Sequence, residues 1–237
     1  MSTAAPTILA TGLTRRYGDT AALDDVSIAI RPGESLAITG TSGSGKSTLL
    51  HCLAGIDTPD AGTVMLATDR GRKDIATMRS ERRSRLRRTR FGFVFQQGLL
   101  IPELTAVENA ALPLLLAGRS RRDAERAAGE WLRALGLAGL EDRRLGQLSG
   151  GQVQRVAIAR AQVTAPDVVF ADEPTGALDP TTSLEVMHAL RTAVVGNGGS
   201  LVVVTHDPVV AAGCDRTVHI DHGRIRSDSM NHAERRR

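Results

Sequence analysis

The sequence predicts an α/β fold: a mainly parallel sheet flanked by helices, an antiparallel β part at the N-terminal end, and an inserted α-helical subdomain. Three observations predict it. Short apolar runs of strand type recur with helical stretches between them, which implies a parallel sheet covered on both faces. Residues 7–30 alternate apolar and polar in short runs, as strands paired by turns do. From about Leu99 to Leu148 the strand signal disappears and helical periodicity takes over.

Taken in order, "ESLAITG" (34–40) is a buried strand entering a glycine loop, and "KSTLLHCLAG" (46–55) has helical apolar spacing that ends at Gly55. "GTVMLA" (62–67) reads as another strand, followed by an arginine-rich helix and the strand "FGFVFQ" (91–96). Within the helical stretch, "SRRDAERAAGEWLRALGL" (120–137) is strongly amphipathic. Strand-like runs then return as "DVVFADE" (167–173), "SLVVVTH" (200–206) and "RTVHI" (216–220), with helices between. There is no internal repeat. Residues 7–237 are therefore expected to form one domain, with a core of about 7–96 and 149–225. The helical subdomain would take about 97–148, and residues 226–237 would be a basic tail.

A chain of 237 residues with 41% apolar content can bury a real core. No uncharged apolar run approaches the ~18–20 residues that a membrane span needs. No basic stretch leads into an apolar core at the N-terminus, as it would in a secretory signal. Cys52 and Cys214 lie far apart in apolar sequence and read as reduced core thiols. A cytoplasmic protein is expected. The net charge of +4 has a local source in "MRSERRSRLRRTR" (78–90) and the closing "RRR". Such a run could attract nucleic acid or anionic headgroups. No aromatic residue is interleaved to stack bases, so a solvated helix face or docking edge is expected, with no specific nucleic acid partner.

Against that arginine-rich background, Lys46 and Lys73 are the only lysines among 30 basic lysine and arginine residues. Lys46 sits in "ITGTSGSGKSTLL" (38–50), where Gly40, Gly45, Lys46 and Ser47 fit G-x-x-x-x-G-K-[ST], the P-loop or Walker A pattern. The motif follows a strand and opens a helix, which is its required context and makes the core that of a P-loop NTPase. Glycines let the backbone close around phosphate oxygens, and loop amides with the helix N-terminus supply partial positive charge. The phosphate cradle would comprise Gly40, Thr41, Ser42, Gly43, Ser44, Gly45, Lys46, Ser47 and Thr48. A slim ammonium on a flexible stem reaches phosphates from within such a loop, where a planar guanidinium would crowd it. Ser47 is placed to ligate Mg²⁺. A glycine turn with an incidental lysine is the bland alternative.

"VVFADE" narrows the chemistry, because a buried strand delivers Asp172 and Glu173 to the carboxyl edge of the sheet, where open α/β folds bind ligands. Asp172 would join the Mg²⁺ shell and Glu173 would polarise the attacking water. Two acids at a strand end can also mean nothing. In "LSGGQVQRVAIARA" (148–161), Ser149 and two glycines precede an amphipathic helix whose apolar face includes Val153, Val156 and Ala157. Ser149 could be a simple N-cap, but a cap does not need Gly150 and Gly151, which bare the helix N-terminus for a second anion contact. With this stretch the chain resembles the ATP-binding cassette (ABC) ATPases, over about residues 7–225. Val153 departs from the family's frequent LSGGQQQR, one turn beyond the phosphate-facing end.

The resemblance implies roles for residues that would mean little alone. Tyr17, in "RRYGDTAALDDVS", matches the aromatic that stacks on adenine. Gln96 matches the glutamine that ligates Mg²⁺ and senses the membrane partner. Asp179 in "GALD" and His206 in "VVVTHD" match the D-loop and the histidine that contacts the γ-phosphate. It further implies a head-to-tail homodimer in which each ATP lies between one P-loop and Ser149, Gly150, Gly151 and Gln152 of the other copy. A separate membrane permease would be the partner, placing the chain on the cytoplasmic face of the plasma membrane. "FGFVFQQGLLIPELTAVENAALPLLLAG" (91–118) and "ADEPTGALD" (171–179) are similar to cassettes of macrolide-export and lipoprotein-release type systems. They are similar also to the related cell-division cassette, which keeps a regulatory role open. A soluble ABC ATPase acting on nucleic acid or ribosomes is a weaker rival, since the chain lacks a coiled-coil arm, cysteine clusters and a second cassette. The permease is expected to dock on "QGLLIPELT" (97–105), where Leu99, Leu100 and Ile101 form an apolar cluster ahead of Pro102 and Glu103.

Overall fold

The computed structural model describes residues 5–96 and 99–230, so Gln97, Gly98 and the basic end of the tail (231–237) lie outside the described residues. The chain forms two compact units. One takes the residues up to Arg87 together with those from Ser200 onward; the other takes Arg88–Gly199.

The first unit opens with β1 (Ile8–Tyr17) and β2 (Thr20–Ile30), antiparallel with Ile8 opposite Ile30 and Tyr17 opposite Thr20. β4 (Ala61–Thr68) pairs antiparallel on the other side of β1, and β5 (Gly71–Asp74) extends the sheet to the order β2-β1-β4-β5. β3 (Ser35–Thr39) is apolar and buried along nearly its whole length, as a strand covered on both faces must be. It pairs in parallel with β8 (Ser200–Val204), whose five residues are all buried, and with β9 (Arg216–Asp221). β10 (Arg224–Met230) adds an antiparallel edge to β9. α1 (Lys46–Leu53) follows β3, and α7 (Pro208–Ala212) joins β8 to β9. Both cysteines are buried thiols outside any disulfide, and burial with the nearby Asp57 charge pushes the Cys52 thiol up to about 12.

Two strands here were not expected. β5 is short and polar, and residues 226–230, read as the start of a tail, complete β10. β10 is held by charge more than by apolar burial. Arg216 of β9, only 4% exposed, donates from Nε to Asp228 Oδ1 at 2.6 Å and reaches the Glu34 carboxylate at 3.4 Å. A guanidinium taken out of water needs such partners.

α2 (Ser80–Arg90) is the arginine-rich helix, and none of its residues is buried. Part of its charge faces inward. Arg87 donates to the Gly55 carbonyl at 2.5 Å, Arg83 donates to the Met78 carbonyl at 3.1 Å, and Arg90 pairs with Asp167.

In the second unit, β6 (Phe91–Phe95) and β7 (Val168–Asp172) run parallel, with Phe95 opposite Asp172. Phe170 meets Phe91 edge-on with ring centres 5.3 Å apart. The helical segment contains α3 (Ala106–Leu116), α4 (Arg121–Ala134) and a 3-10 turn at Leu145–Gln147. α3 opens with a capping box in which Thr105 Oγ1 accepts from the Glu108 amide and Glu108 Oε2 accepts from the Thr105 amide at 3.0 Å. α4 buries Ala124, Ala128, Gly129 and Leu132 along one stripe, the face its periodicity predicts. α5 (Gly150–Gln162) and α6 (Pro180–Val195) complete the unit.

Candidate functional site

In the first unit, the loop between β3 and α1 is shaped by residues that only glycine can supply. Gly40 and Gly45 hold φ of 148° and 103°. A Cβ on Gly40 would lie 2.1 Å from the Ile220 carbonyl oxygen, and one on Gly45 would lie 2.2 Å from that of Ala22. Gly45 also occupies the N-cap of α1 and offers no side chain to cap it, and the positive end of a helix dipole suits an anion. Thr41, Ser42 and Gly43 are exposed at the mouth, as is Ser47.

Lys46 is 9% exposed, and its Nζ donates to the carbonyls of Gly40 at 2.9 Å and Thr41 at 2.7 Å. An ammonium has three donors, so the lysine ties the loop closed and keeps one proton for a ligand. Ser44 Oγ is buried with no hydrogen-bond partner among the described residues.

Tyr17 ends β1 and is 50% exposed. Its hydroxyl donates to Asp57 Oδ2 at 2.6 Å, and the Arg15 guanidinium carbon lies 4.9 Å from the ring centre. One face is thereby occupied by a cation. Burial alone would raise the Asp57 carboxyl, but hydrogen bonds from Tyr17 and the Thr58 amide, with the Arg15 charge, hold it below the ordinary range. His206 is exposed just beyond β8, before Asp207, whose carboxylate caps α7 by accepting from the Val209 amide at 2.7 Å.

The second unit gathers the acidic residues. β7 ends at Asp172, and Glu173 follows at φ 46°, a left-handed conformation rare for a residue with a side chain. The register of Phe95 with Asp172 brings Gln96 and Glu173 out of neighbouring strands at the same end. The Gln96 amide lies against Gly176, where a Cβ would stand 2.9 Å from Nε2. Asp172, Glu173 and Gln96 are thus brought together. Gln154, buried in α5, donates to the Phe95 carbonyl at 2.9 Å and fixes the backbone entering Gln96. Sequence reasoning missed Gln154, because a glutamine between Val153 and Arg155 carries no sign that its side chain has a backbone partner on a distant strand.

Ser149 caps α5. Its Oγ accepts from the Gln152 amide at 3.3 Å, and Gln152 Oε1 accepts from the Ser149 amide at 2.8 Å. The Ser149 hydroxyl proton is left for another acceptor. Gly150 is exposed, while Gly151 is buried with its would-be Cβ 2.6 Å from Thr182 Cγ2 of α6. Close packing of α5 on α6 therefore supplies a reason for Gly151 that the sequence did not reveal. Asp179 caps α6, accepting from the Thr181 and Thr182 amides at 3.1 Å each, and the Thr182 bonds foremost hold its carboxyl below the ordinary range. Val153 is half-buried.

A glycine loop closed by a lysine, a paired Asp–Glu strand end and a serine-capped Gly-Gly helix start coexist in one chain. Residues 23–176 match the family model described as ABC transporter. The chain belongs to the ABC transporter family. As a member it is an ATP-binding cassette ATPase. It is 45% identical over 206 residues to the lipoprotein-releasing system ATP-binding protein LolD of Bordetella pertussis, covering 87% of each chain. It is 42% identical over 222 residues to the macrolide export ATP-binding/permease protein MacB of Chromobacterium violaceum, covering 92% of this chain and 34% of that one. Among solved structures, a dimeric post-hydrolysis state of the ATP-binding cassette MJ0796 bound to ADP and Pi superposes with TM-score 0.83. The two are 35% identical, over 96% of this chain and all of that one.

Proposed function

We propose that this ABC ATPase energises a membrane permease carried on a separate chain, in export or extraction from the membrane, from the cytoplasmic face of the plasma membrane. The observation that carries the reading is the coexistence of the Lys46 loop, the Asp172–Glu173 strand end and the serine-capped Gly-Gly start of α5 in a chain alike to LolD along 87% of its length. In this reading the loop amides and Lys46 hold the phosphates, Tyr17 stacks on adenine, Glu173 polarises the attacking water, and His206 contacts the γ-phosphate. Two copies close head to tail on ATP, with Ser149, Gly150, Gly151 and Gln152 of each meeting the nucleotide held by the other and Asp179 beside it. Hydrolysis reopens the pair, so that two bound states become one mechanical cycle.

The residues proposed to ligate Mg²⁺, Ser47, Gln96 and Asp172, each offer a hard oxygen, the donor type that suits an ion that keeps water and phosphate ligands. When bound, Mg²⁺ would neutralise phosphate charge. Among the described residues no helix is long and apolar enough to cross a membrane.

The permease is proposed to dock on residues 99–105. Asn109, fully buried in α3, accepts from the Ile101 amide at 2.8 Å and donates to the carbonyls of Ile101, Leu104 and Thr105. Arg160 of α5 donates to the Leu99 carbonyl at 2.7 Å. The loop held by these bonds presents Leu99 and Ile101 outward. Leu100 is buried instead, so it serves the fold, and the exposed pair with Glu103 makes the contact surface.

The test of the ATPase cycle is Glu173→Gln, which keeps the shape and removes the base. With ATP and Mg²⁺ the variant is expected to elute as a persistent dimer and to lose hydrolysis. A variant that stays monomeric, or turns over at the wild-type rate, removes Glu173 from this role.

A further inference from the structure

Behind the glycine loop, three backbone segments converge on the peptide joining Ser44 to Gly45. The Gly223 amide donates to the Ser44 carbonyl at 3.0 Å, and the Gly223 carbonyl accepts from the Asp24 amide at 2.9 Å. Gly223 lies in the two-residue turn between β9 and β10, where it and His222 hold φ of 72° and 45°. Positive φ at both positions is what a tight hairpin turn of this kind requires. A Cβ on Gly223 would stand 2.9 Å from the Ala22 carbonyl oxygen, the same atom that excludes a Cβ from Gly45. Ile220, one residue before the end of β9, excludes a Cβ from Gly40 in the same way. Arg224 then donates from Nε to Asp24 Oδ2 at 2.9 Å, pinning the turn to β2.

Peptide planarity gives this contact a consequence. The C=O of Ser44 and the N–H of Gly45 share one trans peptide and point in opposite directions. Drawing the Ser44 oxygen back onto Gly223 therefore aims the Gly45 amide away from the turn. If that peptide flipped, it would turn a carbonyl dipole outward and repel an anion.

We propose that Gly223, which lies outside every recognised motif, is a positioning residue for the phosphate loop. It fixes the Ser44–Gly45 peptide so that the Gly45 amide donates to a phosphate oxygen of a nucleoside di- or triphosphate. The proposal rests on the loop's reading as the nucleotide site. Its effect falls on phosphate binding and not on the base, which the proposed reading gives to Tyr17.

The experiment compares AMP and ADP affinities, by competition with a fluorescent ATP analogue, alongside melting temperatures, for the wild-type chain, Gly223→Ala and Gly71→Ala. Gly71 is the control: it too holds a positive φ, 96°, but has no atom within 4 Å of its would-be Cβ. Gly223→Ala is expected to lower the preference for ADP over AMP by about tenfold, the weight of one charge-assisted hydrogen bond, while Gly71→Ala leaves it unchanged. A folded Gly223→Ala chain with an unchanged preference, or with AMP and ADP weakened equally, overturns the proposal. If Gly223→Ala does not fold, Arg224→Ala decides: a fall of about threefold supports it, the ion pair being partly exposed, and no fall overturns it. A wild-type chain that binds no ADP overturns the nucleotide reading and this proposal together. ADP binding by the wild type with unchanged variants overturns the positioning alone.

Discussion

Tyr17 has one ring face under the Arg15 guanidinium, so only the other is open to a base. Stacking there is worth about 1–3 kcal/mol and reads no base edge. Tyr17→Ala is expected to weaken ATP and GTP by similar factors, measured as the shift in their dissociation constants. Strict ATP selectivity that survives the substitution would assign adenine recognition elsewhere. Lys46 was legible at this scale because a motif with fixed spacing points to it, and its two bonds to loop carbonyls show why a lysine closes this loop. Gln154 and Gly223 were not legible. Each acts through one backbone atom of a segment distant in sequence, and no spacing rule encodes such a contact.

Between elements, the contact of α5 with α6 turns on a single missing methyl. Thr182 is β-branched and stiff, so a Cβ at Gly151, 2.6 Å from its Cγ2, forces the start of α5 to move. Gly151→Ala is expected to cost about 1–3 kcal/mol by overpacking, and adding Thr182→Ala is expected to recover most of it in chemical denaturation. A double variant no more stable than the single one would show that the glycine answers to something other than this packing. The loop of residues 99–105 separates two roles that composition merged. Leu99, Leu100 and Ile101 look alike in sequence, yet Asn109 and Arg160 orient the loop so that only Leu100 turns inward. Leu99→Ser with Ile101→Ser is expected to leave basal ATP hydrolysis near wild type while ending co-purification with the permease from detergent-solubilised membranes. Retained co-purification would place the docking surface elsewhere. The helices themselves were readable where caps and amphipathic stripes agreed, as in α4 with Ser120 accepting from the Asp123 amide.

Across the whole molecule, the parallel strands were readable because burial on both faces demands continuous apolar runs, as in β3, β7 and β8. β10 was not, since an edge strand reading RIRSDSM shows no alternation and is held by Arg216 through Asp228. That dependence on charge has a pH signature. The Arg216 hydrogen bond foremost holds the Asp228 carboxyl below its ordinary value of 3.8, and the Thr105 amide does the same for Glu108 against 4.5. With native carboxyls depressed, the unfolded chain binds more protons as pH falls. Their stabilisation is complete above the ordinary values and is lost as pH drops through the native ones. Urea denaturation midpoints are therefore expected to hold steady above about pH 5 and to fall progressively below it. Asp228→Asn is expected to lower the midpoint at neutral pH, because it leaves the buried Arg216 short of a counter-charge. It also removes one of the titrating groups, so the gap between variant and wild type should close as the wild-type carboxyl is protonated. A gap that stays constant down to pH 3 would mean that Asp228 contributes shape and hydrogen bonding to β10 and no charge.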